Sequence, residues 1–201
     1  MQTNIFLKHK HLLDHVRRNR TIMPMMVGID LHDICNFKCV HCYVKYKFDN
    51  GSRGLSLEKL KRLFRDLADY GVMSLNLTGG ETLARKDLGE LIATAREYGL
   101  YCCLRTNALL LDSEQLVELR KLGLDEMVIS IYGMNNEEYE AVTGRPNSWT
   151  RINQSVERAV ATDLNLRLRY VALRQNYRSV GEYCRWAQGL GLDSEHRYVT
   201  W

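Results

Sequence analysis

Residues 72–106 read VMSLNLTGGETLARKDLGELIATAREYGLYCCLRT, and this segment predicts a strand, a helix and a second strand. Residues 72–78 are mostly apolar and stop at a Gly-Gly pair, as a buried strand does. Asp87 can cap a helix whose apolar residues recur at helical spacing until Gly99 ends it. Residues 100–106 then return to the strand pattern, so the segment is typical of a βαβ unit with parallel strands.

The alternation of strand and helix continues on both sides of this segment. Further strands are predicted at residues 25–31, 126–132, 166–173 and 196–201. Helices are predicted at residues 56–71, 112–123, 136–142, 149–162 and 179–190, with Ser56, Asp112 and Ser179 as further N-cap candidates.

This order of elements favours an α/β fold, a partial (βα)6, TIM-like barrel of parallel strands. In such a barrel the carboxyl ends of all strands lie on one face, so the chemically reactive side chains should collect in the loops there. The last predicted strand ends with the chain. Either it closes the barrel, or the chain is a fragment truncated at strand six.

The composition limits the classes of protein that need to be considered. With 201 residues, 45% of them apolar and 26% charged, the chain has the composition of one globular domain with a sizeable core. No apolar run approaches the ~20 residues of a membrane span, and residues 1–20 lack a secretory apolar region. The net charge of +4 is small and lies largely in those residues, so neither a membrane nor a nucleic acid is expected as a partner.

Two regions are therefore expected, a basic helical arm at residues 1–24 and the barrel domain at residues 25–201. His9, His11 and His15 of the arm lack a fourth metal ligand nearby, so a solvated helix is the simpler interpretation. Docking of a partner on this basic helix is the alternative.

Cys35, Cys39 and Cys42 crowd into one predicted loop after the first strand. A secreted disulfide framework would spread its cysteines along the chain, so metal binding in a reducing cytoplasm is the better interpretation. Thiolate ligands select zinc, copper(I) or an iron–sulfur cluster. A structural zinc site needs a fourth ligand, for which the candidates are His32, His41 and Cys102. A four-iron cluster on three cysteines instead leaves one iron open, and the spacing favours this interpretation.

The cysteine loop CNFKCVHCY (35–43) and the segment TGGETLARKDL (78–88) resemble motifs of the radical S-adenosylmethionine (SAM) enzymes. The likeness is to the branch whose members often have a C-terminal SPASM or twitch extension and modify peptides and proteins. Three further segments match this branch in the expected order: LRTNALLL (104–111), VISIYGMNNEEYEAVTGRPNSW (128–149) and VALRQN (171–176).

The resemblance implies that Cys35, Cys39 and Cys42 hold a [4Fe–4S] cluster and that SAM binds its fourth iron. It implies reductive cleavage of SAM to a 5′-deoxyadenosyl radical, which abstracts hydrogen from a substrate, here a peptide or protein. It also implies a one-electron donor such as a flavodoxin or ferredoxin. A non-catalytic iron–sulfur or zinc-binding module, formed by a truncated barrel, is the alternative. No side chain is nominated for the chemistry on the substrate.

The resemblance also implies which residues contact SAM. The implied set is Gly79, Gly80 and Glu81 at the methionine amino group, His41 near the adenine, Ser130 at the ribose, and Asn107 at a Thr-Asn-Gly motif. Glycines permit close approach of the backbone and a carboxylate accepts from an ammonium, so the chemistry is reasonable. Each residue also has a structural alternative, for instance a tight turn at the glycines or a turn cap at Asn107.

The sequence departs from the pattern of the family at several positions. Ala108 replaces the usual glycine, and Tyr132 replaces a common aspartate. The arginine that reaches the SAM carboxylate in relatives falls at Thr143, and Arg145 is the candidate to replace it. The cysteines left over are not spaced for a second cluster; adjacent Cys102 and Cys103 are expected as buried apolar residues on opposite faces of a strand.

Overall fold

The computed structural model describes residues 24–43 and 54–200, together with Asp14. Its strands are β1 (Met26–Asp30), β2 (Ser74–Thr78), β3 (Tyr101–Thr106), β4 (Glu126–Ile131), β5 (Asn165–Val171) and β6 (Arg197–Thr200). Its helices are α1 (Leu57–Asp69), α2 (Leu88–Glu97), α3 (Ser113–Leu122), α4 (Asn136–Thr143), α5 (Ser148–Val160) and α6 (Val180–Gly189). Short 3-10 helices lie at Thr82–Ala84 and Tyr177–Ser179.

The six strands form one sheet in the order β1-β2-β3-β4-β5-β6, and every neighbouring pair is parallel. This confirms the predicted α/β fold, a partial barrel of βα units. The predicted arm at residues 1–24 lies outside the described residues apart from Asp14 and Pro24, so the division of the chain at residue 25 stays a prediction. In the part of the chain that is described, no helix has the length and apolar character needed to cross a membrane.

The two faces of the sheet differ in polarity. Side chains on the outer face pack against the helices in one hydrophobic core, which includes Cys102 and Leu104 of β3. The inner face is polar, with Arg105 of β3, Glu126 of β4 and Arg169 of β5 on it. Cys103 is buried on this inner face, so the prediction for the two adjacent cysteines is confirmed. The concave side of the barrel is therefore suited to binding polar groups.

One of the four predicted N-caps forms the capping hydrogen bond. Asp112 accepts a hydrogen bond from the backbone N–H of Gln115 at 2.8 Å. Ser56, Asp87 and Ser179 stand at the N-cap positions as predicted, but their side chains make no such bond. Two of the three side chains have stronger partners, because Asp87 pairs with Arg85 and Ser179 donates to the Glu138 carboxylate.

Arg85 fixes the chain where it leaves β1. Its guanidinium donates to the carbonyl oxygens of Leu31 at 2.9 Å and Leu55 at 3.1 Å. Its Nε also donates to the Asp87 carboxylate at 2.6 Å, and the Arg85 side chain is 8% exposed. One buried cation thus joins the end of β1, the start of the α1 region and the loop after β2.

Replacing Arg85 with methionine should lower the free energy of unfolding by about 3 kcal/mol, because charge-assisted hydrogen bonds to two carbonyls and a carboxylate are lost together. Urea unfolding of the two proteins measures this change. The neighbouring Lys86 is exposed, so Lys86→Met is the control and should stay close to the wild type. Equal stability of the two variants would contradict the role given to Arg85.

Candidate functional site

A cavity of about 570 Å³ lies at the carboxyl ends of the strands. Nine of the ten residues predicted for the site line it: Cys35, Cys39, His41, Cys42, Gly79, Gly80, Glu81, Asn107 and Ser130. These residues come from the loops after β1, β2 and β3 and from the end of β4. The parallel fold brings them together because all these ends lie on one face.

The cysteine loop is held by backbone hydrogen bonds on both sides. At its start, Leu31 N–H donates to the carbonyl of Thr78 at 2.9 Å. Further along, Lys38 N–H donates to the carbonyl of Thr143 at 2.8 Å, and Val40 N–H donates to that of Val142 at 2.9 Å. The last turn of α4 therefore accepts hydrogen bonds from the segment between Cys35 and Cys42, and this satisfies helix carbonyls that lack partners within the helix.

All three cysteines of the loop are free thiols. Desolvation raises the pKa of the Cys35 thiol to about 11 and that of the Cys39 thiol to about 12. All three cysteines line the same cavity. They thus form one group of soft donors on one wall of the cavity.

Three thiolates from one loop are a donor set that can hold an iron–sulfur cluster with one iron left open. Among the described residues, no three His, Cys, Asp or Glu side chains are grouped as a single metal ion would require. The thiolates of a cluster bind different irons and need not converge on one point. Three buried polar atoms in or next to this loop also lack a hydrogen-bond partner, namely His32 Nε2, Asp33 Oδ2 and Asn36 Nδ2. Buried polar atoms without partners indicate a place for a ligand or ordered water.

The three candidates for a fourth zinc ligand differ in position. Cys102 is fully buried in the hydrophobic core, on the other face of the sheet. His32 is buried, and its Nδ1 accepts the backbone N–H of Ile34 at 3.0 Å. His41 lines the cavity, with its ring centroid 5.4 Å from that of Tyr132. Of the three, His41 is the one that faces the same cavity as the thiols.

The Gly79-Gly80 pair lies directly against the cysteine loop. Gly80 N–H donates to the carbonyl of His32 at 2.7 Å, and Glu81 N–H donates to that of Ile34 at 2.8 Å. A Cβ atom on Gly80 would overlap the Ile34 carbonyl group, and Gly79 has a φ of +123° that favours glycine. The glycines are therefore needed because two backbones approach each other here.

Glu81 is 1% exposed and its carboxylate already accepts three hydrogen bonds. The donors are the backbone N–H of Leu83 at 3.0 Å, the hydroxyl of Thr106 at 2.5 Å and the backbone N–H of Asn107 at 2.8 Å. Burial raises the pKa of Glu81, and the three donors act in the opposite direction. The side chain thus joins the turn after β2 to the end of β3, whatever it contacts in a complex.

Asn107 has two structural roles. Its side-chain oxygen accepts the backbone N–H of Leu109 at 3.0 Å, which confirms the predicted turn cap. Its side-chain nitrogen donates to Asn36 Oδ1 at 2.6 Å and so reaches the cysteine loop. The residue after it, Ala108, has a φ of +59°, the conformation in which relatives would place a glycine.

The tenth predicted residue, Arg145, is not brought into the cavity. It is exposed, and its guanidinium donates to the Asn36 carbonyl at 3.4 Å from outside the loop. Thr143 does not line the cavity either, since it is fully buried with its hydroxyl donating to the Tyr139 carbonyl. Two other arginines do line the cavity, Arg105 and Arg169. Both arginines lie in predicted strands, where alternate residues face opposite sides of the sheet. Their alternation with apolar residues could have identified them as side chains of the inner face.

Residues 29–187 match the protein-family model described as the radical SAM superfamily. The PqqA peptide cyclase of Bradyrhizobium diazoefficiens is 30% identical over 171 residues, which are 85% of this chain and 45% of that protein. The Fe-coproporphyrin III synthase of Methanosarcina barkeri is 34% identical over 146 residues, which are 73% of this chain and 36% of that protein. This chain thus spans less than half the length of these curated relatives.

Solved structures show the same fold. Streptococcus suis SuiB, crystallised with its precursor peptide SuiA, superposes with a TM-score of 0.74 at 20% sequence identity. The superposition covers 92% of this chain and 41% of SuiB.

Replacing Gly80 with alanine should lower the free energy of unfolding by about 1–3 kcal/mol or more, because the added methyl group displaces the backbone at Ile34. The same displacement should reduce the iron bound after anaerobic reconstitution. Gly28→Ala is the matched control, since a Cβ on Gly28 meets no heavy atom within 4 Å. Normal stability and iron content in Gly80→Ala would refute the requirement for close approach.

Replacing Glu81 with alanine should lower the free energy of unfolding by about 3 kcal/mol or more, because three donors lose their acceptor inside the protein. Urea unfolding of the metal-free protein measures this effect separately from any loss of SAM binding. Glu90→Ala is the control, because the Glu90 side chain is 61% exposed. A Glu81→Ala protein as stable as this control would show that the internal hydrogen bonds contribute little.

Proposed function

The chain belongs to the radical SAM superfamily, and on this premise we propose that it binds a [4Fe–4S] cluster and SAM and modifies a peptide or protein by radical chemistry. The observation on which the proposal depends is that the three cysteines and the Gly-Gly-Glu segment line one cavity. The two motifs are separated by an entire βα unit in the sequence, so only the fold brings them together.

Cys35, Cys39 and Cys42 would hold three irons of the cluster. When bound, the cluster and SAM together supply an electron and a cleavable carbon–sulfur bond, and so a 5′-deoxyadenosyl radical. The contribution of the protein is to bind, to orient and to exclude water.

The turn after β2 provides the surface against which the methionine part of SAM would lie. Gly79 and Gly80 line the cavity, and their lack of side chains lets this turn lie directly against the cysteine loop. Glu81 lines the cavity as well, and its carboxylate holds this turn to the end of β3 by accepting from Thr106 and Asn107. Ser130 lines the cavity from β4, where a hydroxyl can donate to a ribose oxygen.

Aromatic side chains shield one side of the cavity. The Phe37 and Tyr132 rings lie 6.3 Å apart in an edge-on arrangement, and both line the cavity. Burial raises the pKa of Tyr132, so this hydroxyl stays neutral and can serve as a hydrogen-bond donor. An apolar wall of this kind limits access of water to a reactive intermediate.

The substrate class rests on the relatives. PqqA peptide cyclase acts on a peptide by its name, and SuiB binds a precursor peptide. A peptide or protein substrate for this chain is therefore the favoured assignment. We further propose a flavodoxin or ferredoxin as electron donor and the cytoplasm as the location, where a reducing environment keeps thiol ligands available.

Cys39→Ala should abolish both cluster assembly and SAM cleavage. Anaerobic reconstitution of the wild type is expected to give a brown protein with about four irons per chain, which cleaves SAM reductively to methionine and 5′-deoxyadenosine when dithionite is supplied as the electron donor. Iron and sulfide analysis measures the first property, and chromatography of the nucleoside products measures the second. Cys184→Ala is the control, because Cys184 is a free cysteine of α6 outside the cavity.

The results separate the alternatives. A colourless wild-type protein that takes up zinc would refute the cluster. A brown protein that binds SAM without cleaving it would be a non-catalytic module. Full cleavage by Cys39→Ala would refute the assignment of the cysteine loop.

A further inference from the structure

Two arginines line the same cavity as the cysteines and have no role in the function proposed so far. Arg105 lies on β3 and Arg169 on β5, one on each side of β4. Arg105 is opposite Val128 in the sheet, and Arg169 is opposite Ser130, two residues closer to the carboxyl end. Both side chains are half-buried on the inner face.

Neither guanidinium forms an ion pair with a carboxylate of the described residues. Arg169 donates from Nε to the hydroxyl of Thr200 at 3.2 Å, and no hydrogen bond of the Arg105 side chain is formed within the described part of the chain. The neighbouring Arg167, in contrast, pairs with Glu126 at 3.1 Å. Half-buried arginines elsewhere in the fold also have acceptors, as Arg85 has in Asp87.

The carboxylates near the cavity do not neutralise these two charges. Glu81 accepts three hydrogen bonds from other groups, and Tyr43 donates to the Asp30 carboxylate at 3.2 Å. Asp33 also lines the cavity, but among the described residues it forms no ion pair with either arginine. Two partly desolvated guanidinium groups that pair with none of these carboxylates leave their part of the cavity complementary to an anion. A guanidinium pairs with a carboxylate through two parallel hydrogen bonds, which makes arginine well suited to this purpose.

We propose that Arg105 and Arg169 form a carboxylate-binding subsite of this cavity. The inference rests on the proposed function, since it assumes that SAM and a peptide occupy the cavity. Two carboxylates are then available, that of the methionine part of SAM and that of an acidic side chain in the substrate. Because Thr143 and Arg145 both lie outside the cavity, neither competes with the pair for this role.

The test compares binding of matched ligands that differ in one carboxylate. The protein is the full chain with its reconstituted cluster, in the wild-type form and as Arg105→Gln and Arg169→Gln. Calorimetry measures the affinity for SAM and for decarboxylated SAM. In the presence of SAM, it also measures the affinity for N-acetyl-Gly-Glu-Gly-amide and for the corresponding glutamine peptide.

The wild type should prefer the carboxylate member of at least one pair of ligands by about ten- to a hundredfold, as expected for a charge-assisted hydrogen bond. Both arginine variants should lose most of that preference. Arg65→Gln removes the same charge from an exposed position on α1, and this variant should keep the wild-type preference for the carboxylate ligand. Arg105→Lys and Arg169→Lys keep the charge but lose the bidentate geometry, so these variants should keep part of the preference for the carboxylate ligand.

Each outcome has a definite meaning. Loss of the preference for SAM over decarboxylated SAM assigns the pair to the cofactor, and loss of the preference for the glutamate peptide assigns it to the substrate. A wild type without either preference, or variants that keep the wild-type preferences, would overturn the proposal while leaving the proposed function intact. A cluster-loaded wild type that does not bind SAM would instead overturn the proposed function, and this inference with it.

Discussion

The contact between the cysteine loop and the turn after β2 is the constraint on which the site depends. Two backbone hydrogen bonds, from Gly80 to His32 and from Glu81 to Ile34, hold the two segments together. They form only because residues 79 and 80 lack side chains that would separate the backbones. The same contact places the cysteine loop beside the Gly-Gly-Glu turn, so the close approach of two backbone segments sets the geometry of this side of the cavity.

Electrostatics adds a second level to this arrangement. The outer face of the sheet is apolar and contributes to the core, while the inner face has charged side chains on β3, β4 and β5. At the amino ends of the strands, Glu126 forms an ion pair with Arg167 and accepts a hydrogen bond from the Tyr101 hydroxyl at 3.0 Å. At the end near the cysteines, the arginines of β3 and β5 lack such partners. Along the direction of the strands, the charged side chains of the barrel interior thus change from forming an ion pair to forming none.

Much of the fold could be predicted from periodicity, because strands and helices bury apolar residues at different spacings. The order of the strands follows from the tendency of consecutive strands to pair with each other, and the handedness of the βα connections places the helices on one side of the sheet. Local capping was predicted less well: Asp112 caps α3, whereas Asp87 pairs with Arg85 and Ser179 with Glu138. A short polar side chain at the start of a helix can form hydrogen bonds with any group that the tertiary structure brings near it. Such groups can be distant in sequence, so the capping bond cannot be predicted from the local sequence alone.

The sequence by itself determined the parallel α/β barrel, the loop with three thiols and the glycines that face it, because spacing and residue type are local properties. Only the tertiary structure decided that Glu81 is fully engaged by β3, that Arg145 stays outside the cavity, and that Arg105 and Arg169 enter it. The physical reason is that register and sheet curvature determine which side chains share a cavity. Those quantities depend on how all the strands pack together, which no single segment specifies.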